Sequence, residues 1–378
     1  MRPIQMVDTK TQYLKIKEQV DEGIHQVLDS TAYINGKPVK DFTKNLSSYL
    51  NVKHTIPCAN GTDALQIAMM ALGLEPGDEV ITPSFTYVAT TEVVALLRLK
   101  PVFVEVDKET FNIDPNAVEA AITSKTKAIV PVHLYGQAAN MEEIISIAAR
   151  HNLFVIEDNA QAIGCNYTFS DGTVKKTGTM GTIGTTSFYP SKNLGAYGDG
   201  GAIFTNDDVL AEKLLMIANH GQKVRYYHEM VGCNSRLDTI QAAVLNVKLK
   251  YLDEYIISRQ AVAAFYDIAF KENDKITIPQ KTAFSNHVYH QYTLVLHGVG
   301  RDELSSYLAS KQIPSMIYYP VPAHRQKMFV AFGGGSYNLT ETDWLTERVI
   351  SLPMHTELEE DQLQYITDHV LRFVNQSR

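Results

Sequence analysis

Apolar positions in TDALQIAMMALGL, which starts at residue 62, recur at helical spacing. Ala64, Leu65, Ala68, Met69 and Leu72 share one face, and the turn-like pair Asn60-Gly61 stands before them. A helix beginning there is predicted. Downstream, short β-rich runs alternate with helical stretches. The runs are EVITPSF at 79–85, PVFVEVD at 101–107, AIVPVHL at 128–134, FVIED at 154–158, GTTSFY at 184–189 and AIFTND at 202–207. TEVVALLRL, NAVEAAI and MEEIISIAARH between them, and VLAEKLLMIANHG after them, carry helical spacing. This alternation predicts a mainly parallel α/β sheet with helices on both faces.

From Asp238 the segment DTIQAAVLNVKLKYLDEYIISRQAVAAFYDIAF reads as one long amphipathic helix leaving the sheet. Beyond it come NHVYHQYTLVLH, a helical RDELSSYLASK, a strand-like PSMIYYPV and a final helix EEDQLQYITDHVLRFV, a set that suits a small α+β domain. The division expected is a large α/β domain over 1–250 and a small C-terminal α+β domain over 251–378. No internal repeat or low-complexity tract interrupts it.

A chain of 378 residues, 45% hydrophobic and 20% charged, has the length and composition for two such domains. Its net charge is -8 and no basic run reaches five, which argues against a nucleic-acid partner. The opening MRPIQMVDTKTQYLK mixes acid, base and amide residues where a signal peptide carries its apolar segment. No stretch of about 18 apolar residues follows, so no membrane span and a cytoplasmic location are expected. Cys58, Cys165 and Cys233 lie far apart without a CxxC pair, and none of the 12 His residues forms a close-spaced pair with acidic neighbours. Neither a disulfide framework nor a metal site is expected.

Candidate chemistry centres on SFYPSKNLGAYGDGGAIFTND at 187–207, where Lys192 follows a β-like run and precedes a glycine-dense loop. A lysine at a strand end can be held, partly desolvated, with a proton affinity low enough for Schiff-base chemistry. Gly195, Gly198, Gly200 and Gly201 let backbone pass close to a bulky ligand. Alone, such a lysine is more often a solvated surface residue. Asp158 changes the balance: VIEDNAQAIG reads as a strand ending in a carboxylate, and open α/β sheets bind ligands beyond the carboxyl ends of their strands. There it could pair with the pyridinium nitrogen of pyridoxal phosphate and keep it protonated. Its plain alternative is a cap on the following helix. Gln161 could hydrogen-bond the ring hydroxyl, and Tyr87 could stack on the ring or be an ordinary core aromatic. Asn60-Gly61-Thr62 at a helix start and Ser187 offer phosphate donors, although Thr62 could equally be an N-cap and Ser187 a simple strand residue.

Six motifs in order, CANGTDALQIAMMALG, PSFTYVAT, VHLYGQ, EDNAQAIG, SKNLGAYGDGG and NSRLDTIQAA, resemble those of the DegT/DnrJ/EryC/StrS-type sugar aminotransferases across nearly the whole chain. The resemblance implies fold type I: a large, mainly parallel seven-stranded sheet domain and a smaller α+β domain, with pyridoxal 5'-phosphate as cofactor. It makes Lys192 the Schiff-base lysine, Asp158 the pyridinium partner, Gln161 the contact to the ring hydroxyl and Tyr87 the stacking aromatic. Gly61, Thr62 and Ser187 become phosphate-binding positions. Asn234 matches an asparagine that reaches the phosphate from the neighbouring subunit, which implies a homodimer with shared sites. Arg236, His220 and Tyr319 match substrate-facing positions, and Arg236 could equally form an ion pair with Asp238.

The same resemblance implies transamination in two halves with L-glutamate as donor and a nucleotide-linked 3-keto-sugar as acceptor, and hence ping-pong kinetics. SFTYVATTEVVALLRLKPVFVEVD and VISLPMH look more like the branch acting on a UDP-linked 2-acetamido-3-keto-hexuronate than the one acting on a dTDP-linked 3-keto-6-deoxyhexose. Three features depart from the pattern: Asn159 where Ala is common, a long stretch at 166–182, and Tyr318 where a His is frequent. Some members of the superfamily carry His in place of the lysine and act as dehydratases, which Lys192 argues against. A regulator or binding protein that kept the fold is the alternative of another class. A Rossmann-type oxidoreductase lacks its GxGxxG here.

Overall fold

The computed structural model describes residues 1–377. Seven strands form the main sheet: β1 (His54–Cys58), β2 (Glu79–Pro83), β3 (Lys100–Val104), β4 (Thr126–Ile129), β5 (Phe154–Asp158), β6 (Ile183–Ser187) and β7 (Gly201–Thr205). Their order is β1-β7-β6-β5-β4-β2-β3, every pair being parallel except the two that β7 makes with β1 and β6. β2 and β7 are buried along their whole length, as strands covered on both faces must be.

The cover comes from α1 (Thr9–Ser30), α2 (Lys37–Leu50), α3 (Gly61–Ala71), α4 (Ala89–Leu96), α5 (Pro115–Ala120), α6 (Met141–His151) and α7 (Asp208–Ala218). Successive residues of β5 show how the layers divide. Val155 packs with Phe42 and Leu46 of α2 and Ile144 and Ile147 of α6. Ile156 packs on the opposite face with Leu65 and Met69 of α3, Val93 of α4 and Leu214 of α7. The period-two alternation of a strand thus feeds two cores from one sheet. Neither α1 nor α2 belongs to the elements predicted above. Each carries a helical stripe of buried residues: Ile16, Val20 and Val27 in α1; Val39, Phe42, Leu46 and Leu50 in α2.

The segment from Asp238 is not one long helix. It divides into α8 (Thr239–Leu249) and α9 (Leu252–Phe270), with Lys250 and Tyr251 between them. Leu245 and Leu249 of α8 join the main-sheet core, as do Leu252 and Ile256 at the start of α9, and Val244 and Val247 pack beside α1. Val262, Ala263, Tyr266 and Phe270 in the rest of α9 join a third core. That third core is roofed by an antiparallel sheet of β8 (Ile276–Thr277), β9 (Tyr292–Leu296) and β10 (Val349–Leu352), together with α10 (Arg301–Ser310) and α12 (Glu360–Gln376), while Leu345 of α11 (Thr340–Thr346) packs apart from it with Phe85, Phe111 and Tyr135. Leu304 and Leu308 of α10 and Ile366 and Val370 of α12 fill it. Ile4 also packs there, and Arg2 donates to the Glu357 carbonyl at 2.7 Å, so the first residues of the chain lie with its last.

PSMIYYPV is not a strand. It makes a single bridge, Met316 to Ser351. Pro314 and Pro320 have no N–H to give a ladder, and the Tyr318 carbonyl accepts instead from the Tyr135 hydroxyl. The stretch at 166–182 holds a β-hairpin, Asn166–Thr168 against Val174–Lys176. Among the described residues no helix is long and apolar enough to cross a membrane, and no group of three or more His, Cys, Asp and Glu could hold a metal ion.

Candidate active site

β5 and β6 end side by side, and a cavity of about 770 Å³ opens beyond their carboxyl ends, within the range of ligand pockets. Lys192 reaches it from the turn that follows β6, where its own N–H bonds to the Tyr189 carbonyl at 2.8 Å. The side chain is half-buried. Burial pulls its amine down to about 8, against the opposing pull of the Asp158 charge. The turn is clamped on both sides. Asn193 donates to the Val288 carbonyl at 2.9 Å, and Gln241 of α8 accepts from the Tyr197 N–H at 2.8 Å.

Asp158, the last residue of β5, is buried. One carboxylate oxygen accepts from the Thr90 hydroxyl at 2.8 Å and the other from the Ala160 N–H at 3.1 Å. No helix follows Asp158, so the helix cap considered from sequence does not form; the Ala160 N–H of the turn that follows takes one oxygen, and α4 supplies the second contact through Thr90. The preceding Glu157 points the other way and anchors the strand end. It accepts the N–H groups of Gly178, Met180 and Gly181 at 2.7, 2.6 and 2.6 Å and faces His133 Nε2 at 2.9 Å. A buried carboxylate so fully bonded is rigid, which fixes where Asp158 stands. Gln161 accepts from the Tyr135 N–H at 2.7 Å and donates to the Tyr319 hydroxyl at 3.0 Å.

The far end of the cavity is the start of α3. Asn60, not Thr62, is the N-cap: its side chain accepts from the Asp63 N–H, and its carbonyl accepts from that of Ala64. The N–H groups of Gly61 and Thr62 and the Thr62 hydroxyl are left for a ligand, at the positive end of an eleven-residue helix. Close approach shapes this end. A Cβ on Gly61 would stand 2.7 Å from the Ser187 Cβ, and one on Gly201 would stand 2.4 Å from the Asn60 carbonyl oxygen. Tyr87 lies at the mouth, more than half exposed, with its ring centroid 6.1 Å from that of Tyr319.

One cavity therefore joins an anion cradle, a fixed carboxylate and a low-affinity amine. Residues 14–371 match the DegT/DnrJ/EryC1/StrS aminotransferase family. The chain belongs to that family. It is 47% identical to the "Pleiotropic regulatory protein" of Geobacillus stearothermophilus, over 98% of each chain. It is 46% identical to the "UDP-2-acetamido-2-deoxy-3-oxo-D-glucuronate aminotransferase" of Pseudomonas aeruginosa, over 96% of this chain and 98% of that one. Among solved structures it is similar to NtdA of Bacillus subtilis with its bound cofactor PMP, at 31% identity and a TM-score of 0.89, covering 96% of this chain and 82% of the other.

This aminotransferase takes pyridoxal phosphate, and its residues fit the group. The free N–H groups at the start of α3 suit a phosphate, the Asp158 carboxylate suits a ring N–H, and the Lys192 amine suits the aldehyde. Of the sequence candidates, Gly61, Thr62, Tyr87, Asp158, Gln161, Ser187, Lys192 and Tyr319 line this one cavity. Asn234, Arg236 and His220 do not. Asn234 is exposed and pairs with Asn219, Arg236 donates to the Asn219 side chain at 3.3 Å, and His220 is exposed with φ 60°. Arg236 makes no ion pair with Asp238 among the described residues. His290, Gln291 and Tyr318 line the cavity and are absent from the sequence candidates. The signal for the first two was a polar pair set in the apolar run of NHVYHQYTLVLH.

Proposed function

We propose that this aminotransferase moves the amino group of L-glutamate to C3 of a UDP-linked 2-acetamido-2-deoxy-3-oxo-hexuronate, in amino-sugar and cell-surface polysaccharide biosynthesis. It acts in the cytoplasm as a homodimer with shared sites. The observation that carries the chemistry is a lysine with its amine near 8, in one cavity with a buried carboxylate and a helix-terminal anion cradle. The choice of sugar is supported by the relative named for that substrate, at 46% identity over nearly the full length of both chains.

Bound pyridoxal phosphate supplies a carbonyl carbon that exchanges amines and a ring that takes up the electron pair left when a neighbouring C–H bond breaks. The chain does the rest. Gly61 and Thr62, with Ser187, hold the phosphate, and Asp158, braced by Thr90, holds a proton on the ring nitrogen. Lys192, when free, is the base that takes the Cα proton of the amino donor onto Nζ and holds it within the cavity for return. An amine near 8 is unprotonated at roughly a tenth at pH 7, a few hundredfold more than an ordinary lysine, which suits a general base. Tyr87 covers the ring from the mouth. The same steps in reverse load the keto-sugar. Asn234, Arg236 and His220, all outside this chain's own cavity, are proposed to serve the neighbouring subunit's site.

A regulator that retained the fold is the second reading, favoured by the name of the Geobacillus relative. Both are tested by the absorbance spectrum of the purified protein with pyridoxal phosphate, before and after L-glutamate. Conversion to the pyridoxamine form is expected, and UDP-linked 3-keto-hexuronate should then restore the starting spectrum. Restoration by a dTDP-linked 3-keto-6-deoxyhexose instead would overturn the sugar. A cofactor band indifferent to every amino donor would favour the regulator.

A further inference from the structure

We infer that the Tyr319 hydroxyl donates its hydrogen to the ring oxygen of bound pyridoxal phosphate, beside the Gln161 amide, so that this one oxygen receives two donors. Tyr135 is the positioning residue that holds both. The role differs from the substrate-facing one that resemblance gave Tyr319, and it rests on the reading of Gln161 as the contact to the ring oxygen. Gln161 and Tyr319 line the same cavity. Gln161 Oε1 accepts from the Tyr135 N–H at 2.7 Å, which fixes the amide, because a flipped NH2 would face another donor. Nε2 is therefore the atom that meets Tyr319, donating to its hydroxyl oxygen at 3.0 Å.

That bond leaves each partner one hydrogen to give. The Tyr319 oxygen accepts from Gln161, and its own hydrogen has no acceptor among the described residues. Burial keeps that hydrogen on, pushing the hydroxyl well above the ordinary tyrosine value against the opposing effect of the Gln161 bond. Gln161 Nε2 carries two hydrogens, of which Tyr319 takes one. Two free hydrogens thus sit on donor atoms 3.0 Å apart, and a single oxygen at ordinary hydrogen-bond distance from both closes a nearly equilateral triangle. An oxygen with negative charge suits such a pair of donors. The ring oxygen of the cofactor is of that kind.

Neither donor is loose. The Tyr319 ring packs edge-on against Phe85, with centroids 6.4 Å apart. Tyr135 grips both partners: its N–H fixes Gln161, and its hydroxyl donates to the carbonyl of Tyr318, the residue before Tyr319. Tyr135 itself is 2% exposed, stands outside the cavity lining and is wedged between Phe85 and Phe111, at 6.5 and 5.3 Å between centroids. A measurable consequence follows. Once joined to the cofactor, the Lys192 nitrogen carries a proton that faces the ring oxygen and steadies its charge. Protein donors that steady the same charge make that proton easier to release, so Tyr319 lowers the pH at which it leaves.

The test needs no turnover. Holoenzyme without amino donor is titrated with base, and loss of the proton is followed by the move of the cofactor band from the visible edge to shorter wavelength. Y319F should raise the midpoint by about one pH unit, a tenfold tighter hold on the proton, with apo-form melting near wild type. Y135F should raise it by less, because the Tyr319 hydroxyl remains and only its support is gone; an unmoved midpoint there would remove Tyr135 from its role. A Y319F midpoint within about 0.2 pH unit of wild type would overturn the contact. Q161L separates the inference from the reading beneath it. A midpoint raised in Q161L and unmoved in Y319F strikes the Tyr319 contact alone, and one unmoved in both strikes the Gln161 reading as well. An unmoved Y319F midpoint with a raised KM for the keto-sugar would return Tyr319 to the substrate.

Discussion

Replacing Gly61 by alanine tests the cofactor cradle with one methyl group. The added Cβ would meet Ser187 Cβ at 2.7 Å and Ser187 Cα at 3.3 Å, where carbon atoms pack comfortably at about 3.5–4.0 Å. Ser187 cannot yield, because it ends β6 and is paired to Gly201 of β7. The start of α3 must retreat by about 1 Å, and with it the N–H groups of Gly61 and Thr62. A hydrogen bond to a charged group contributes about 1.5–3 kcal/mol, so spoiling one costs about 2 kcal/mol, or roughly thirtyfold in affinity for pyridoxal phosphate. Equilibrium dialysis of apoprotein against the cofactor measures this, and thermal melting of the apo form checks that the variant is folded. A folded G61A protein that binds within about threefold of wild type would refute the placement of the phosphate at this helix end.

Four further outcomes are expected. Lys192→Ala should abolish turnover while circular dichroism and melting stay near wild type; measurable turnover would remove Lys192 from its role. Thr90→Val deletes the 2.8 Å bond to Asp158 inside the protein and should cost about 1–3 kcal/mol of stability in urea unfolding and lower kcat, with cofactor still bound. Glu157→Gln turns an amide group toward the N–H donors of residues 178–181 and should destabilise by about 2–5 kcal/mol in the same assay. Lys248, 1% exposed, has no carboxylate partner among the described residues and is pulled by burial to about 8. Below that pH it is charged in both states and burdens the fold. From about 8 to the ordinary 10.5 the folded state has released the proton and the unfolded state still binds it, so stability rises with pH. Lys248→Met should unfold at higher denaturant than wild type at pH 7, by up to about 3 kcal/mol, and should lack that rise; a difference that does not narrow between pH 7 and 10 would contradict it.

The sheet was legible because its strands are short, apolar and separated by segments with a different period. FVIED coincides with β5 and MEEIISIAARH with α6 residue for residue. α1 was not, since its 22 residues bury only Ile16, Val20 and Val27, too sparse a stripe to stand out among charged neighbours. The break between α8 and α9 was also hidden. No Gly or Pro marks it, and the apolar pattern runs on through it: Leu249 before the break and Leu252 and Ile256 after it pack in the same core.

For the site, local pattern was enough to single out Lys192 and Asp158. A lysine after a β-run and a carboxylate at a strand end are statements about neighbours in sequence, and the parallel topology then brings strand ends together. The chemistry of the pocket was thus written in the order and type of residues. Its environment was not. Thr90 meets Asp158 across 68 positions, Gln161 meets Tyr319 across 158, and Arg259 reaches the carbonyls that carry His290 from another helix. Proton affinity and reach depend on burial and on partners distant in the chain, and these exist only once the tertiary structure has excluded water and brought them within hydrogen-bond distance.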